Sequence, residues 1–148
     1  AAYAPFYTGA FGKKELQVES INDLAGLKVG LTGGTIEDIQ VTDEAPEGTQ
    51  ILRFGDNAAT QASFVSGQVD VIITSNVVAA AMSEANPDLD ISTKYISKYG
   101  ASFIGVKKGQ IDLLQWVNVW IMHKKLNGKL NEISLKWLGQ PLPELPTS

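Results

Sequence analysis

The chain has 148 residues, of which 44% are hydrophobic and 19% are charged, and its formal net charge is −4. This length suits one domain or two small lobes, and the apolar content is too high for a disordered tail. The acidic balance disfavours a nucleic acid or an anionic membrane as the partner, because both attract basic surfaces. The chain has no Cys, which excludes disulfides and Cys-ligated metals, and its single His123 leaves little material for a zinc site or a catalytic triad.

Strands and helices are predicted to alternate in the first part of the chain. Residues 1–14 are predicted as extended chain, and a short helical turn follows at residues 20–26, where Ser20 and Asp23 have capping-box spacing. Three strands are then predicted, at residues 28–32, 50–54 and 69–74. Each is followed by a predicted helix, at residues 35–44, 56–67 and 75–86 respectively. Short strands that alternate with helices predict a parallel sheet with helices on its faces and right-handed crossovers.

The second part of the chain is predicted to be mainly helical. A strand is predicted at residues 101–106, and a long amphipathic helix at residues 111–126. A shorter helix carries Trp137, and a proline-rich tail follows it. No apolar run approaches the roughly 18 to 20 residues that span a bilayer.

Candidate binding residues lie at two junctions where a strand leads into a helix, because ligands of such sheets bind at the carboxyl ends of the strands. They are Thr32, Gly34, Thr35, Ile36, Thr74 and Ser75. At the first junction, glycines and unpaired helix N–H groups favour a cradle for a carboxylate or phosphate, and a simple turn capped by Thr35 is the alternative. At the second junction, the side chains could bind a small polar ligand, or Ser75 could cap the next helix. The first junction contains no nucleotide-binding motif, and we predict no cofactor. The two junctions offer no His or Lys, so no catalytic residue is predicted. No metal is predicted in a chain without Cys and with one His.

Four motifs in order resemble the polar amino acid family of bacterial solute-binding proteins. They are INDLAGLKVGLTGGT at residues 21–35, FGDNA with FVSGQVDV at residues 54–58 and 64–71, GVKKG with LLQWVN at residues 105–109 and 113–118, and the ending at residues 127–139. The resemblance implies an α/β, type II periplasmic-binding-protein-like lobe with a parallel-type sheet and flanking helices. It also implies three regions: an entry or hinge segment at residues 1–12, a second lobe at residues 13–95, and the C-terminal part of a first lobe at residues 96–148. The N-terminal part of that first lobe is expected to be missing.

The family resemblance also implies a function. In that family, two lobes close over a ligand, and the liganded protein docks onto the permease of an ABC transporter. The expected ligand is therefore a small polar solute, and the expected location is periplasmic or secreted. Thr32, Thr35 and the backbone of Ile36 match the loop that holds the ligand carboxylate. Ser75 falls where amino acid binders carry an Asp that pairs with the ligand ammonium. Because Ser cannot supply that charge, a solute without an amine is an alternative ligand.

Two alternatives to a plain binding role are a dehydratase-like enzyme on the same scaffold and an assembly fragment. An enzyme would need a general acid or base, whereas the two junctions offer only Thr and Ser. The assembly alternative follows from the expected absence of the N-terminal part of the first lobe. Without that part, only the strand at residues 101–106 is left for the C-terminal helices to pack against. The faces of the long helix that carry Leu113, Val117, Trp120 and Ile121 would then be exposed. This predicts a homo-oligomer formed through residues 100–140, or a separate chain that supplies the missing segment.

Overall fold

Five strands and five α-helices form the fold in the computed structural model, which describes residues 1–146. They are, in chain order, β1 (Ala2–Lys13), β2 (Lys28–Thr32), α1 (Ile36–Glu44), β3 (Gln50–Phe54), α2 (Asn57–Val65), β4 (Val71–Ser75), α3 (Asn76–Ala85), β5 (Ile91–Phe103), α4 (Ile111–Leu126) and α5 (Lys129–Leu138). Short 3-10 helices cover Ile21–Leu24 and Pro87–Leu89. Among these helices, none combines the length and the apolar character needed to cross a membrane.

The strands form one mixed sheet in the order β3-β2-β4-β1-β5. β2 lies parallel to both β3 and β4, and its Gly30 is the register partner of Ile72 in β4. β1 lies antiparallel to β4 and pairs Gly9 with Thr74. The α/β architecture is therefore confirmed, with the predicted parallel pairing in β2, β3 and β4. The extended N-terminal segment adds an antiparallel strand to this parallel core.

The chain divides into two compact units. The larger unit comprises Thr8–Lys98, and the smaller unit combines Ala1–Tyr7 with the chain from Tyr99 onward. β1 and β5 each contribute residues to both units, because each strand runs through a division point. The regions expected from the sequence, with limits after residues 12 and 95, stay a prediction.

Apolar residues from neighbouring strands and α1 form the core of the larger unit. The cluster consists of Ala10, Val18, Leu24, Val29, Leu31, Val41, Val71 and Ile73. Ile72 points to the opposite face of β4 and is also fully buried, so this strand is covered on both sides. A strand buried on both faces needs an unbroken apolar run. This requirement explains why the Val71–Ile73 segment was recognisable in the sequence, although β4 ends at Ser75 and the prediction ended at residue 74.

Tyr95 of β5 packs against this core with its phenol oxygen buried and without a hydrogen-bond partner among the described residues. Burial raises the pKa of Tyr95 to about 12, and the nearby Glu44 carboxylate acts in the same direction. The phenol therefore stays protonated at neutral pH.

The predicted strand at residues 101–106 was wrong in its extent. β5 begins at Ile91 and ends at Phe103, so residues 104–106 lie outside it. The strand carries Lys94 and Lys98 among its β-branched and aromatic residues and lies at the edge of the sheet. Charged residues on edge strands prevent pairing with other chains, and they also hide the apolar run that identifies a buried strand.

In the smaller unit, α4 and α5 pack against each other, and residues from both ends of the chain meet. The N-terminal ammonium of Ala1 donates a 2.6 Å hydrogen bond to Oδ1 of Asn118 in α4, and the rings of Tyr7 and Tyr99 stack 5.8 Å apart. The expectation that one strand alone supports the helices was therefore wrong, because the first residues of β1 belong to the same unit. Ile121 was also expected to be exposed, and it is fully buried.

Gly9 is the position in β1 where a side chain is least tolerable. A Cβ added there would collide with the backbone carbonyl oxygen of Tyr95 in β5. We expect Gly9→Ala to lower the free energy of unfolding by about 1–3 kcal/mol in urea denaturation, because the two strands must move apart. Gly55→Ala is the control, since a Cβ there meets no atom within 4 Å. Equal stability of the two variants would contradict the close approach of β1 and β5.

Candidate ligand-binding site

The two predicted junctions lie at the same edge of the sheet. β2 and β4 are adjacent and parallel, and α1 and α3 begin just after their carboxyl ends. Both helices therefore direct their N-termini, with their partial positive charge, toward one edge of the larger unit. That edge is where the six predicted site residues lie.

Thr32, at the end of β2, uses its hydroxyl within the protein. Its Oγ1 donates a 2.8 Å hydrogen bond to Oδ1 of Asn57 and lies 2.9 Å from Oγ1 of Thr60 in α2. Neither Asn57 nor Thr60 was predicted as a site residue. Asn57 lies in the FGDNA motif, but the 25 residues that separate it from Thr32 give no local signal for this contact.

Thr35 is the N-cap of α1, as the alternative interpretation held. Its Oγ1 accepts a 3.3 Å hydrogen bond from the backbone N–H of Asp38 and donates a 2.8 Å bond to the carbonyl oxygen of Thr32. The hydroxyl is therefore engaged in both directions. The donors of this junction that α1 itself does not use are backbone N–H groups of its first turn, beginning with that of Ile36, because a helix offers them no acceptor.

Gly34 gives the loop its shape. Its φ is +78°, a left-handed conformation that glycine adopts without strain, and a Cβ there would meet no atom within 4 Å. Its N–H donates a 2.9 Å hydrogen bond to Oδ2 of Asp38. This bond and the Arg53 guanidinium hold the pKa of Asp38 below its usual range, so the carboxylate is charged at neutral pH.

At the second junction, Ser75 is the N-cap of α3, and its Oγ accepts a 3.3 Å hydrogen bond from the N–H of Val78. Thr74 is buried in β4. β1 places Thr8 opposite Ser75, and Thr8 Oγ1 lies 3.2 Å from Oγ of Ser97. Thr8 and Ser97 were not predicted as site residues, because they come from sequence-distant strands that only the sheet brings together.

This arrangement provides helix N-termini and hydroxyl groups, which suit a carboxylate and other polar groups of a small ligand. In the described part of the chain, no group of three or more His, Cys, Asp or Glu residues could hold a metal ion. His123 lies exposed in α4, in the smaller unit.

Known proteins with similar sequences are solute-binding proteins. No family model matches the chain. It is 30% identical over 131 residues to the ABC transporter glutamine-binding protein GlnH of Bacillus subtilis, a match that covers 86% of this chain and 46% of that protein. The resemblance found in the sequence is confirmed. The chain is related to the solute-binding proteins of polar amino acid ABC transporters, and it spans about half the length of the curated relatives it matches.

Solved structures agree in fold. The L-cystine solute receptor of Neisseria gonorrhoeae, in its unliganded open conformation, matches with a TM-score of 0.80 at 14% identity, over 95% of this chain and 60% of that one. An ancestral arginine-binding protein bound to glutamine matches with a TM-score of 0.63 at 27% identity, over 95% of this chain and 63% of that one. The periplasmic-binding-protein-like fold is therefore confirmed.

The N-cap of α1 can be tested at Thr35. Thr35→Val removes the hydroxyl that accepts the Asp38 N–H, so we expect the free energy of unfolding to fall by about 1 kcal/mol. Thr35→Ser keeps the hydroxyl and is the matched control, expected to stay close to the parent chain. Chemical denaturation followed by far-UV circular dichroism measures both, and a Val variant as stable as the Ser variant would contradict the cap.

Proposed function

We propose that this chain is the substrate-binding part of an ABC importer for amino acids or similar small polar solutes. The observation that carries the proposal is the pair of helix N-termini at one sheet edge, in a chain related to a glutamine-binding protein. A periplasmic or secreted location and docking onto a transporter permease belong to the same proposal, and the relationship to solute-binding proteins supports both.

The ligand is proposed to place a carboxylate at the start of α1. The hydroxyls of Thr32 and Thr35 are engaged within the protein, so the N–H of Ile36 is the donor best suited to a ligand oxygen. Ser75 and Thr74 lie at the adjacent junction and bring no charge. The larger unit can therefore select a polar group there, but it cannot offer an ion pair to an ammonium from Ser75.

The backbone donor can be removed by proline substitution. Ile36 is the first residue of α1, a position where proline fits a helix because its missing N–H has no acceptor there. We expect Ile36→Pro to weaken binding roughly ten- to a hundredfold, the loss of one hydrogen bond to a charged group, while the fold persists. Isothermal titration with L-glutamine, L-arginine and L-cystine measures the affinities.

Ile36→Ala is the control, because it removes the exposed side chain and keeps the N–H. If the parent chain binds none of these three amino acids or their deaminated analogues, the proposed function is wrong. If the Pro and Ala variants bind equally well, the carboxylate does not lie at the start of α1.

Ser75→Asp tests what the second junction recognises. An Asp still caps α3 and adds a negative charge, so we expect the preference for an amino acid over its deaminated analogue to rise by roughly one to two decades. Ser75→Asn is the uncharged control. Calorimetric affinities that keep the same ratio in both variants would place the ligand amine elsewhere.

We also propose that the chain associates through residues 100–140, as a homodimer or with a chain that supplies a first-lobe segment. The prediction that α4 is amphipathic was wrong, because its apolar residues are not confined to one face. Such a distribution is typical of a buried helix. Only Ile121 of α4 is buried among the described residues, and Val117 is half-buried, whereas Leu113 and Trp120 are 45% and 41% exposed. Trp116 is 63% exposed and Leu126 is 78% exposed.

Sedimentation velocity at micromolar concentration tests this association. We expect a dimer or larger species for the parent chain, and a shift toward monomer for Trp116→Glu, because the charge would have to be buried in the interface. Ile39→Glu is the control, since Ile39 is 62% exposed on α1 of the larger unit. A folded monomer of the parent chain, with no bound partner, would contradict the proposal.

A further inference from the structure

Arg53 and Asp38 form an ion pair beside the candidate site. Nε of Arg53, in β3, donates a 2.8 Å hydrogen bond to Oδ1 of Asp38, in the first turn of α1. A second guanidinium nitrogen, Nη2, donates a 2.8 Å bond to Oγ1 of Thr42, whose hydroxyl in turn donates to the carbonyl oxygen of Asp38 at 2.7 Å. The guanidinium therefore contacts two successive turns of α1. The Asp38 side chain is 13% exposed and that of Arg53 is 45% exposed.

The same carboxylate holds the loop that precedes the helix. Its other oxygen, Oδ2, accepts the N–H of Gly34 at 2.9 Å. The neighbouring Gly33 donates its N–H at 2.9 Å to the carbonyl oxygen of Phe54, the residue that follows Arg53. Two consecutive loop residues are thus tied to two consecutive residues of β3, one directly and one through Asp38.

The pair also has an electrostatic consequence. An acidic residue in the first turn of a helix is favourable for the helix, but its charge opposes an anion bound at the same N-terminus. Arg53 places a compensating positive charge on that carboxylate. Lys could supply the charge but not the forked contact with both Asp38 and Thr42.

We propose that Arg53 is a positioning residue for ligand binding: through Asp38, it holds the Gly33–Gly34 loop in place and cancels a charge that would repel the ligand carboxylate. The charge compensation rests on the proposed function, whereas the positioning of the loop is independent of any ligand. Arg53 acts through Asp38 and does not itself contact the ligand.

Two variants and one control test the positioning in the full 148-residue chain without ligand. Arg53→Met removes the charge and the fork, so we expect amide hydrogen exchange at Gly34 to quicken by about tenfold. Lys28→Met also removes one positive charge, at the opposite end of β2, and is expected to leave that rate unchanged. If Arg53→Met does not fold, Arg53→Lys replaces it and is also expected to quicken exchange at Gly34. A rate equal to that of Lys28→Met overturns the proposal.

Ligand titration tests the charge compensation. For whichever of L-glutamine, L-arginine and L-cystine binds the parent chain, Arg53→Met should weaken binding roughly threefold to tenfold, and binding of its carboxamide analogue should weaken less. The double variant Arg53→Met with Asp38→Asn removes the uncompensated charge and should recover part of the affinity. Equal losses for acid and amide, or no recovery, overturn the electrostatic part. If the parent chain binds none of the three and none of their deaminated analogues, the proposed function fails, and Gly34 exchange alone decides whether Arg53 positions the loop.

Discussion

The pairing of β4 on both of its edges is the constraint on which the rest of the larger unit depends. On one edge it is parallel to β2, and on the other it is antiparallel to β1. The parallel pairing places the ends of β2 and β4 side by side, so that two helices start at one edge. The antiparallel pairing brings Thr8 to the same edge, opposite Ser75. The candidate site is thus a consequence of strand order, because its two junctions and Thr8 come from separate strands that the sheet brings to one edge.

The elements with strong local signals could be predicted from the sequence. β2 and β3 have the predicted bounds, because short apolar runs end at glycines or polar residues. Helices were predicted to start at residues 35 and 56, and in the structure Thr35 and Asp56 cap α1 and α2 by accepting the N–H groups of Asp38 and Ala59. A capping hydrogen bond joins residues only three apart, so the local sequence is sufficient to predict it.

Contacts over long sequence distances could not be predicted in the same way. Thr8 and Ser97 are 89 residues apart, and Thr32 and Asn57 are 25 apart. Polar residues at such positions look like ordinary strand or helix residues until the sheet order is known. The late start predicted for β5, at residue 101 instead of Ile91, had the same cause. The lysines of β5 mask the strand in the sequence, and its neighbour in the sheet, β1, lies far from it in the chain, at Ala2–Lys13.

Hydroxyl groups at a sheet edge can serve the fold or the ligand, and here the structure assigns several of them to the fold. Thr35 and Ser75 cap helices, and Thr32 bonds to α2. A ligand at this edge must then rely more on backbone N–H groups, which of all substitutions only proline removes. The positions of these N–H groups are set by the geometry of the loop that precedes each helix.

Loop geometry matters more because the larger unit is acidic. Residues 8–98 contain thirteen acidic and six basic residues, whereas residues 99–148 contain three acidic and six basic ones. A carboxylate ligand at the larger unit would therefore meet an unfavourable overall charge. Charges farther away than roughly 8–10 Å are largely screened at physiological salt, so the groups close to the ligand decide. Two acidic residues, Glu37 and Asp38, lie in the first turn of α1, and Arg53 is the cation that contacts Asp38. The proposed binding of an acid by the acidic larger unit thus depends on helix N–H groups held at fixed positions and on the ion pair in which Arg53 offsets the charge of Asp38.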